Sequence, residues 1–223
     1  MPNKYVLDFL TEIEQNNNRE WFASNKHRYD TIFKEMKNLA GEWIEGVKAF
    51  DPDVADNDPN KAVFRIYKDV RFSADKRPYK NNIGMAIGRG GRTAKWAGYY
   101  LHIQPGESFI AGGKWMPDSQ ELKAIRQEID YNYSQLQAIV HDPAFQETFG
   151  DLDTEYQLKK SPRDYAADHP AIEWLKLKSF TVSRRIPDEE VLSADLMKNV
   201  IAYSKAMHPF LRFLNEAMAD IGQ

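Results

Sequence analysis

Apolar residues in this chain recur with two different periods, and the change between them predicts the layout. Val6, Leu7, Leu10 and Ile13 sit at helical spacing, which predicts a short helix ending near Gln15. Asn16-Asn17-Asn18 breaks it, and Asn17 followed three residues later by Glu20 reads as a capping-box variant opening a second helix. Phe22, Tyr29, Phe33, Met36, Ala40, Trp43, Val47 and Phe50 then recur in steps of seven, four and three, widened by Ile32 and Leu39. Sustained heptads would suit a coiled coil. The aromatic content of this stripe favours a core helix lying on a sheet.

Past Phe50 the period changes. Asp51 to Pro59 is an acidic connector without the Gly and terminal Glu of a calcium loop. It reads as a solvated loop or a partner for basic residues. Ala62–Phe72 alternates, Ile83–Ile87 is short and apolar, and Gly98–Ile103 and Ser108–Ala111 are rich in β-formers. Pro105-Gly106 predicts a turn that makes the last two an antiparallel hairpin. Gly112-Gly113 after it signals a bulge or a close backbone approach.

Helical spacing then returns. Asp118 and Glu121 form a cap and box ahead of Leu122, Ile125 and Ile129, and Asn132 with Gln135 repeats the device before Leu136, Ile139 and Val140. Residues 150–170 read as a polar excursion, Pro170–Leu175 as a helical turn and Lys178–Ser183 as a further strand. Leu196, Val200, Tyr203, Met207, Leu211, Leu214, Met218 and Ile221 trace a last helix, which Pro209 is expected to kink or split. Strands in one block between helices predict an α+β fold. A mostly antiparallel sheet in mid-chain packs against a long N-terminal helix and C-terminal helices, in one domain over 1–223.

Composition narrows the chemistry. An apolar share of 42% with 13% aromatics is ample for a packed core. The absence of cysteine removes disulfides, thiolate zinc sites and a Cys nucleophile. The five histidines, at 27, 102, 141, 169 and 208, show no ligand spacing, so neither a metal site nor a cofactor is expected. No G-x-S-x-G elbow marks a serine nucleophile. No window approaches a membrane span and no leader pattern opens the chain, so a soluble cytoplasmic protein is expected.

Charge changes the picture more. Ten of the 30 basic residues but only two of the 33 acidic ones fall within 61–95, in a chain whose net charge is −3. The remainder is strongly acidic. Such a split points to an anion-binding surface or an internal electrostatic clamp. Its densest part runs from Arg65 to Lys80. If Arg65–Phe72 is extended, Arg65, Tyr67, Asp69 and Arg71 share one face, and Ile66, Val70 and Phe72 the other. Arg65 and Arg71 would then stand roughly 20 Å apart, too far to grip one phosphate. Pro78 forces a turn, leaving Asp75, Lys76, Tyr79 and Lys80 in a charged loop. Arg suits carboxylate and phosphate by its fork geometry, and Lys adds point charge. Asp69 and Asp75 would hold these cations or serve as acid and base.

The run R-x-x-K-D-x-R-F-x-x-D-K-x-P-Y-K from Arg65 to Lys80, with Asn16-Asn17-Asn18-Arg19-Glu20-Trp21-Phe22 upstream, resembles the family catalogued as domain of unknown function 2461. Tyr99-Tyr100-Leu101-His102-Ile103, Gly112-Gly113, Lys178-Ser179-Phe180 and Arg184 fit it too, so the resemblance runs nearly full length. It implies Arg where Lys68 stands, and a point charge there weakens any bidentate contact. It supplies no reaction.

Several residues complete the candidate set. Arg19 sits at a helix start, where free backbone donors favour anions. Gly88-Arg89-Gly90-Gly91-Arg92 lacks the ending of a P-loop and reads as a hairpin tip whose two Arg can close over a ligand. Tyr100 and His102 share a strand face, and His102 could act as a general base if that face meets Arg65 and Asp69. Three readings therefore stand. The first binds a phosphorylated or other anionic small molecule through Arg19, Arg65, Asp69, Arg71, Asp75, Lys76, Tyr79, Lys80 and Tyr100. The second is an enzyme on such a ligand, with Asp69 or His102 as acid and base. The third is an interaction module built on internal salt bridges. Nucleic acid is weakly supported as the anion: Tyr67, Tyr79 and Trp96 interleave with the cations, but the whole chain is near neutral.

Overall fold

A computed structural model describes residues 4–71, 74–219 and 221. Helices α1 (Lys4–Gln15) and α2 (Arg19–Lys48) open the chain. The apolar stripe is the buried side of α2, where Phe22, Tyr29, Met36, Trp43 and Val47 are among the sealed positions. The cap of α2 is Asn18, whose side chain accepts from the Trp21 backbone N–H at 2.9 Å, and not Asn17. Asn17 is used elsewhere. Its side-chain amide donates to the Tyr79 carbonyl and accepts from the Tyr79 N–H, both at 3.0 Å.

The acidic connector forms a 3-10 turn at 52–54 and the short helix α3 (Pro59–Ala62). Ala62–Phe72 is not a sheet strand, contrary to expectation. Val63 makes one isolated bridge to Met85 and Tyr67 another to Tyr79, and the Lys68 and Lys80 N–H groups bond to Pro78 and Ile66. The basic run thus folds back on itself as a narrow ribbon, and Pro78 and the dense charge keep it from joining a longer ladder. Within it Ile66 is buried while Arg65, Tyr67, Asp69 and Arg71 are exposed, as alternation predicts. Phe72 lies outside the described residues.

The sheet follows: β1 (Ile83–Gly88), β2 (Gly98–Ile103), β3 (Phe109–Lys114) and, much later, β4 (Phe180–Arg185). It is antiparallel throughout, in the order β1-β2-β3-β4. The hairpin around Pro105-Gly106 forms as read. Between β3 and β4 come α4 (Ser119–Tyr131), α5 (Tyr133–Val140), α6 (Pro143–Phe149) and α7 (Ile172–Leu175). The Asp118/Glu121 capping box is present. Asn132 gives α5 no side-chain cap, because its amide is drawn to Glu128 instead. After β4, α8 (Asp188–Val191) leads to α9 (Leu196–Ala217), which runs through Pro209 as one helix without splitting.

Helix α9 is the hub. It lies against β3, with α2 beside it and α4, α5 and α6 also packed on it. Gly112 permits the close approach: a Cβ there would run into Met207 and Leu211 of α9. Trp43 of α2, fully buried, donates to Ser204 of α9 at 2.9 Å. Met85, Ile87, Tyr99, Leu101, Ile110 and Val182 make the sheet's sealed face. The other face is left to loops. No helix among the described residues is long and apolar enough to cross a membrane.

Candidate functional site

The strand registers set out the uncovered face row by row. Gly84, His102, Phe109 and Arg185 align in one row; Ala86, Tyr100, Ala111 and Ser183 in the next; Gly88, Gly98, Gly113 and Thr181 in the third. The side chains shrink to almost nothing across the third row. Above this floor is a cleft of about 930 Å³, walled by Phe64, Trp96 and Arg92 on one side and by Trp115 and Asp153–Tyr156 on the other. The volume and a largely apolar surface that carries aromatic rings and placed polar groups are those of a small-molecule site.

Cations stand on the aromatic wall. The Arg92 guanidinium lies 4.6 Å from the Phe64 ring centre and donates to the Val63 carbonyl at 2.8 Å. The Lys80 ammonium is 5.7 Å from the same ring. Arg89 stacks on Trp96 at 4.1 Å, with Asp53 at 3.9 Å. Aromatic faces attract these cations. They do not neutralise them. Among the described residues no carboxylate lies in ion-pair range of Lys80 or Arg92. Burial, then the charges of Arg92, Arg65 and Lys68, pull the Lys80 ammonium below its ordinary pKa.

At the hairpin end of the face, a hydrogen-bond chain runs along β2 into the turn. The Tyr100 hydroxyl is 2.9 Å from His102 Nδ1, and His102 Nε2 is 2.9 Å from Gln104 Oε1. The Gln104 amide donates to Glu107. Phe109 stacks on the His102 ring, centroids 4.7 Å apart. Burial lowers the His102 pKa and raises that of Tyr100, so both are neutral at pH 7. The Lys80 charge adds a smaller lowering to His102, and Phe64, whose ring centre is 5.7 Å from the Lys80 ammonium, lies 6.2 Å from the Tyr100 ring.

Opposite, Asp153 accepts from Thr181 at 2.8 Å and Ser183 at 2.9 Å. Lys114 is spent on the buried Glu121 at 2.7 Å and on the Lys95 carbonyl. Arg185 donates to the Gly106 carbonyl. Among the described residues no group of three or more His, Asp or Glu could hold a metal ion.

Of the residues singled out from sequence, Tyr100 lines the cleft, while Lys80 and His102 lie outside its lining, each against a lining residue, Phe64 and Tyr100 respectively. Arg19, Arg65, Asp69, Arg71, Asp75, Lys76 and Tyr79 are not in its lining. Asp69 chelates Arg71, at 2.6 Å to Nη2, and Asp75 holds Arg77 and Lys68, each at 2.9 Å. Both carboxyls are held below the usual range, Asp69 by Arg71 and Asp75 chiefly by Arg77. Lys76 donates to the Val70 carbonyl. Arg19 is exposed on the first turn of α2. Tyr79 is buried, stacked on Phe22 at 4.1 Å.

The His102 ring meets Tyr100, Gln104 and Phe109, and among the described residues no hydrogen bond joins it to Arg65 or Asp69, the meeting on which its role as a general base was conditional. The acidic connector meets the basic segment where Asp53 nears Arg89 and where the Asn57 amide clasps the Gly88 backbone. Asp51 is buried instead, taking a 2.8 Å bond from Tyr99 beside His208. Gly112-Gly113 is the predicted close approach. Sequence reasoning missed Phe64, Phe109, Trp115 and the Asp153–Tyr156 segment. Strand alternation was a usable signal for Phe109, since the Pro105-Gly106 turn sets it opposite His102.

The geometry therefore defines an α+β protein with one sheet face sealed by helices and the other forming an aromatic, cation-rimmed cleft. The model of a family described as "Conserved hypothetical protein (DUF2461)" matches residues 5–213, and the chain belongs to that family. No curated protein and no solved structure matches it. The two stretches that carry the family resemblance meet here: Asn17 clasps the Tyr79 backbone and Phe22 stacks on its ring. Part of that signature is therefore a fastening between α2 and the ribbon.

Proposed function

We propose that this protein binds a small anionic ligand with a flat, largely apolar body in the cleft on the open sheet face. Lys80 and Arg92 meet the anion and Arg89 closes the rim. The observation that carries this reading is the pair of cations standing on Phe64 with no carboxylate partner among the described residues, Arg92 in the wall of the cleft and Lys80 on the same ring. Holding like charges together costs stability, and an arriving anion removes that cost. The Gly98–Gly113 row lets a ring lie flat on the floor. We also read the chain as one folding unit, because buried residues from α1 to α9 fall into one cluster.

The test is titration of the purified protein with phenyl phosphate and nucleoside monophosphates, read by tryptophan fluorescence and thermal shift. Trp96 and Trp115 line the cleft and would report occupancy. Saturable binding that weakens about tenfold in Arg92→Gln supports the site, the size expected for one charge-assisted contact. Binding unchanged in Arg92→Gln places the anion elsewhere and removes the reading.

A second reading, an enzyme on such a ligand, is favoured by one observation: the hydrogen bond between His102 and the cleft-lining Tyr100. Asp69 is less suited to acid–base work there, being exposed and clamped by Arg71. The interaction-module reading is supported only by the paired tip of the ribbon. Nucleic acid remains the weaker choice of anion, because Glu107, Asp153 and Glu155 offset the cations around the cleft.

A further inference from the structure

The chain from Tyr100 to Glu107 has a direction. The Glu107 carboxylate accepts from the Gln104 NH2, which leaves the Gln104 carbonyl oxygen facing His102. An amide oxygen accepts, so His102 Nε2 carries the imidazole proton. A neutral imidazole has one proton, so Nδ1 is bare and accepts from the Tyr100 hydroxyl. The turn fixes the order: the Gln104 N–H and carbonyl both bond to buried Ser108, and Asp188 holds the Gly106 N–H. Tyr100 lies across β1 above Gly84, where a Cβ would come within 2.6 Å of the hydroxyl oxygen. No other residue type leaves that space.

We infer that Tyr100 is a specificity residue that reads a hydrogen-bond donor on the ligand. Its only hydroxyl proton is committed to His102, so it offers the cleft lone pairs alone. A ligand hydroxyl or N–H satisfies that oxygen; a ligand carbonyl or ether at the same place is repelled. This rests on the anion-binding reading of the cleft and narrows it. The ligand class becomes an anion whose flat body carries a hydroxyl or amine, with the charge toward Lys80 and Arg92 and the donor toward Tyr100.

The experiment compares phenyl phosphate with its 2-, 3- and 4-hydroxy and matching methoxy derivatives on the full chain, with nitrogen-15 NMR of the histidines alongside. One hydroxy isomer is expected to bind about tenfold more tightly than its methoxy partner, the size of one satisfied polar contact. Tyr100→Phe should abolish that ratio. His102→Leu should free the Tyr100 proton and shift the preference toward methoxy, which loss of packing alone would not do. The unliganded NMR should show His102 protonated on Nε2. Equal binding of every hydroxy and methoxy pair, or a His102 proton on Nδ1, overturns the donor reading while the anion cleft stands. Failure of all aryl phosphates to bind overturns both.

Discussion

On β2, Leu101 is fully sealed while its neighbours Tyr100 and His102 stand partly exposed on the opposite face. The two faces use alternate residues of the same strands, yet they are built differently. The face under α9 is filled by Met85, Leu101, Ile110 and Val182, with Gly112 bare only so that the helix can approach. The open face has its small residues, Ala86, Gly98, Ala111 and Gly113, along the floor of the cleft. Unfilled space above small residues on a packed scaffold adds nothing to folding, which makes it the natural place to look for function.

The sharpest way to break this contrast is to cut neighbouring residues. Leu101→Ala removes a buried side chain beneath α9 and should lower unfolding free energy by about 3 kcal/mol. Tyr100→Phe, one position away, removes only a hydroxyl and should cost about 1 kcal/mol or less. Urea unfolding of both variants checks the pair. Equal losses would mean that the open face is as much core as the sealed one.

Filling the cleft tests the same contrast from the other side. Ala111 faces the open side between Tyr100 and Ser183. Ala111→Trp should occupy the floor, weaken phenyl phosphate binding by more than about tenfold, and leave the melting temperature within a few degrees of wild type, because no packed neighbour is displaced. A variant that binds normally would show that the ligand sits elsewhere.

How much of this could be read from the chain depended on range. Tyr100, His102 and Gln104 alternate, so their common face follows from strand period alone, and the Pro105-Gly106 turn adds Phe109. Asp69-x-Arg71 and Asp75-x-Arg77 pair as i,i+2 neighbours on an extended backbone, which is why the tip of the ribbon neutralises itself. The bond from Asn17 to Tyr79 spans 62 residues and has no local signature. With three asparagines in a row, nothing local separates the one that caps α2 from the one that clasps the ribbon. Asp153–Tyr156 lies in a stretch with no period at all, and only tertiary packing brings it over the sheet. The basic segment stood out by composition. Which of its charges are already answered needed the fold.

That division of charge makes a third prediction. Arg92→Gln should weaken anion binding about tenfold, whereas Arg71→Gln should change it less than twofold, since Arg71 is clamped by Asp69 on an exposed strip away from the cleft. Added salt should weaken wild-type binding only modestly, because charges at a partly enclosed wall are less screened than exposed ones. Parallel losses in the two variants would return the site to the ribbon.

The smallest effect is also the most telling about cost. Burial disfavours the Lys80 charge, and the charges of Arg92, Arg65 and Lys68 add to the penalty, so its folded pKa lies below the unfolded value near 10.5. The charged form is therefore disfavoured by folding. The penalty is complete at neutral pH and fades as pH rises through the folded pKa toward the unfolded one. Lys80→Met keeps a long apolar stem for Phe64 and removes the charge. It should raise stability at pH 7 by about 0.5 kcal/mol, a small figure because the group is half exposed and screened. The gain over wild type should shrink as pH rises toward 10.5. The same variant should bind phenyl phosphate more weakly. Stability and binding moving in opposite directions is the mark of a charge kept for a ligand; a Lys80→Met protein that loses both would mean that Lys80 supports the fold.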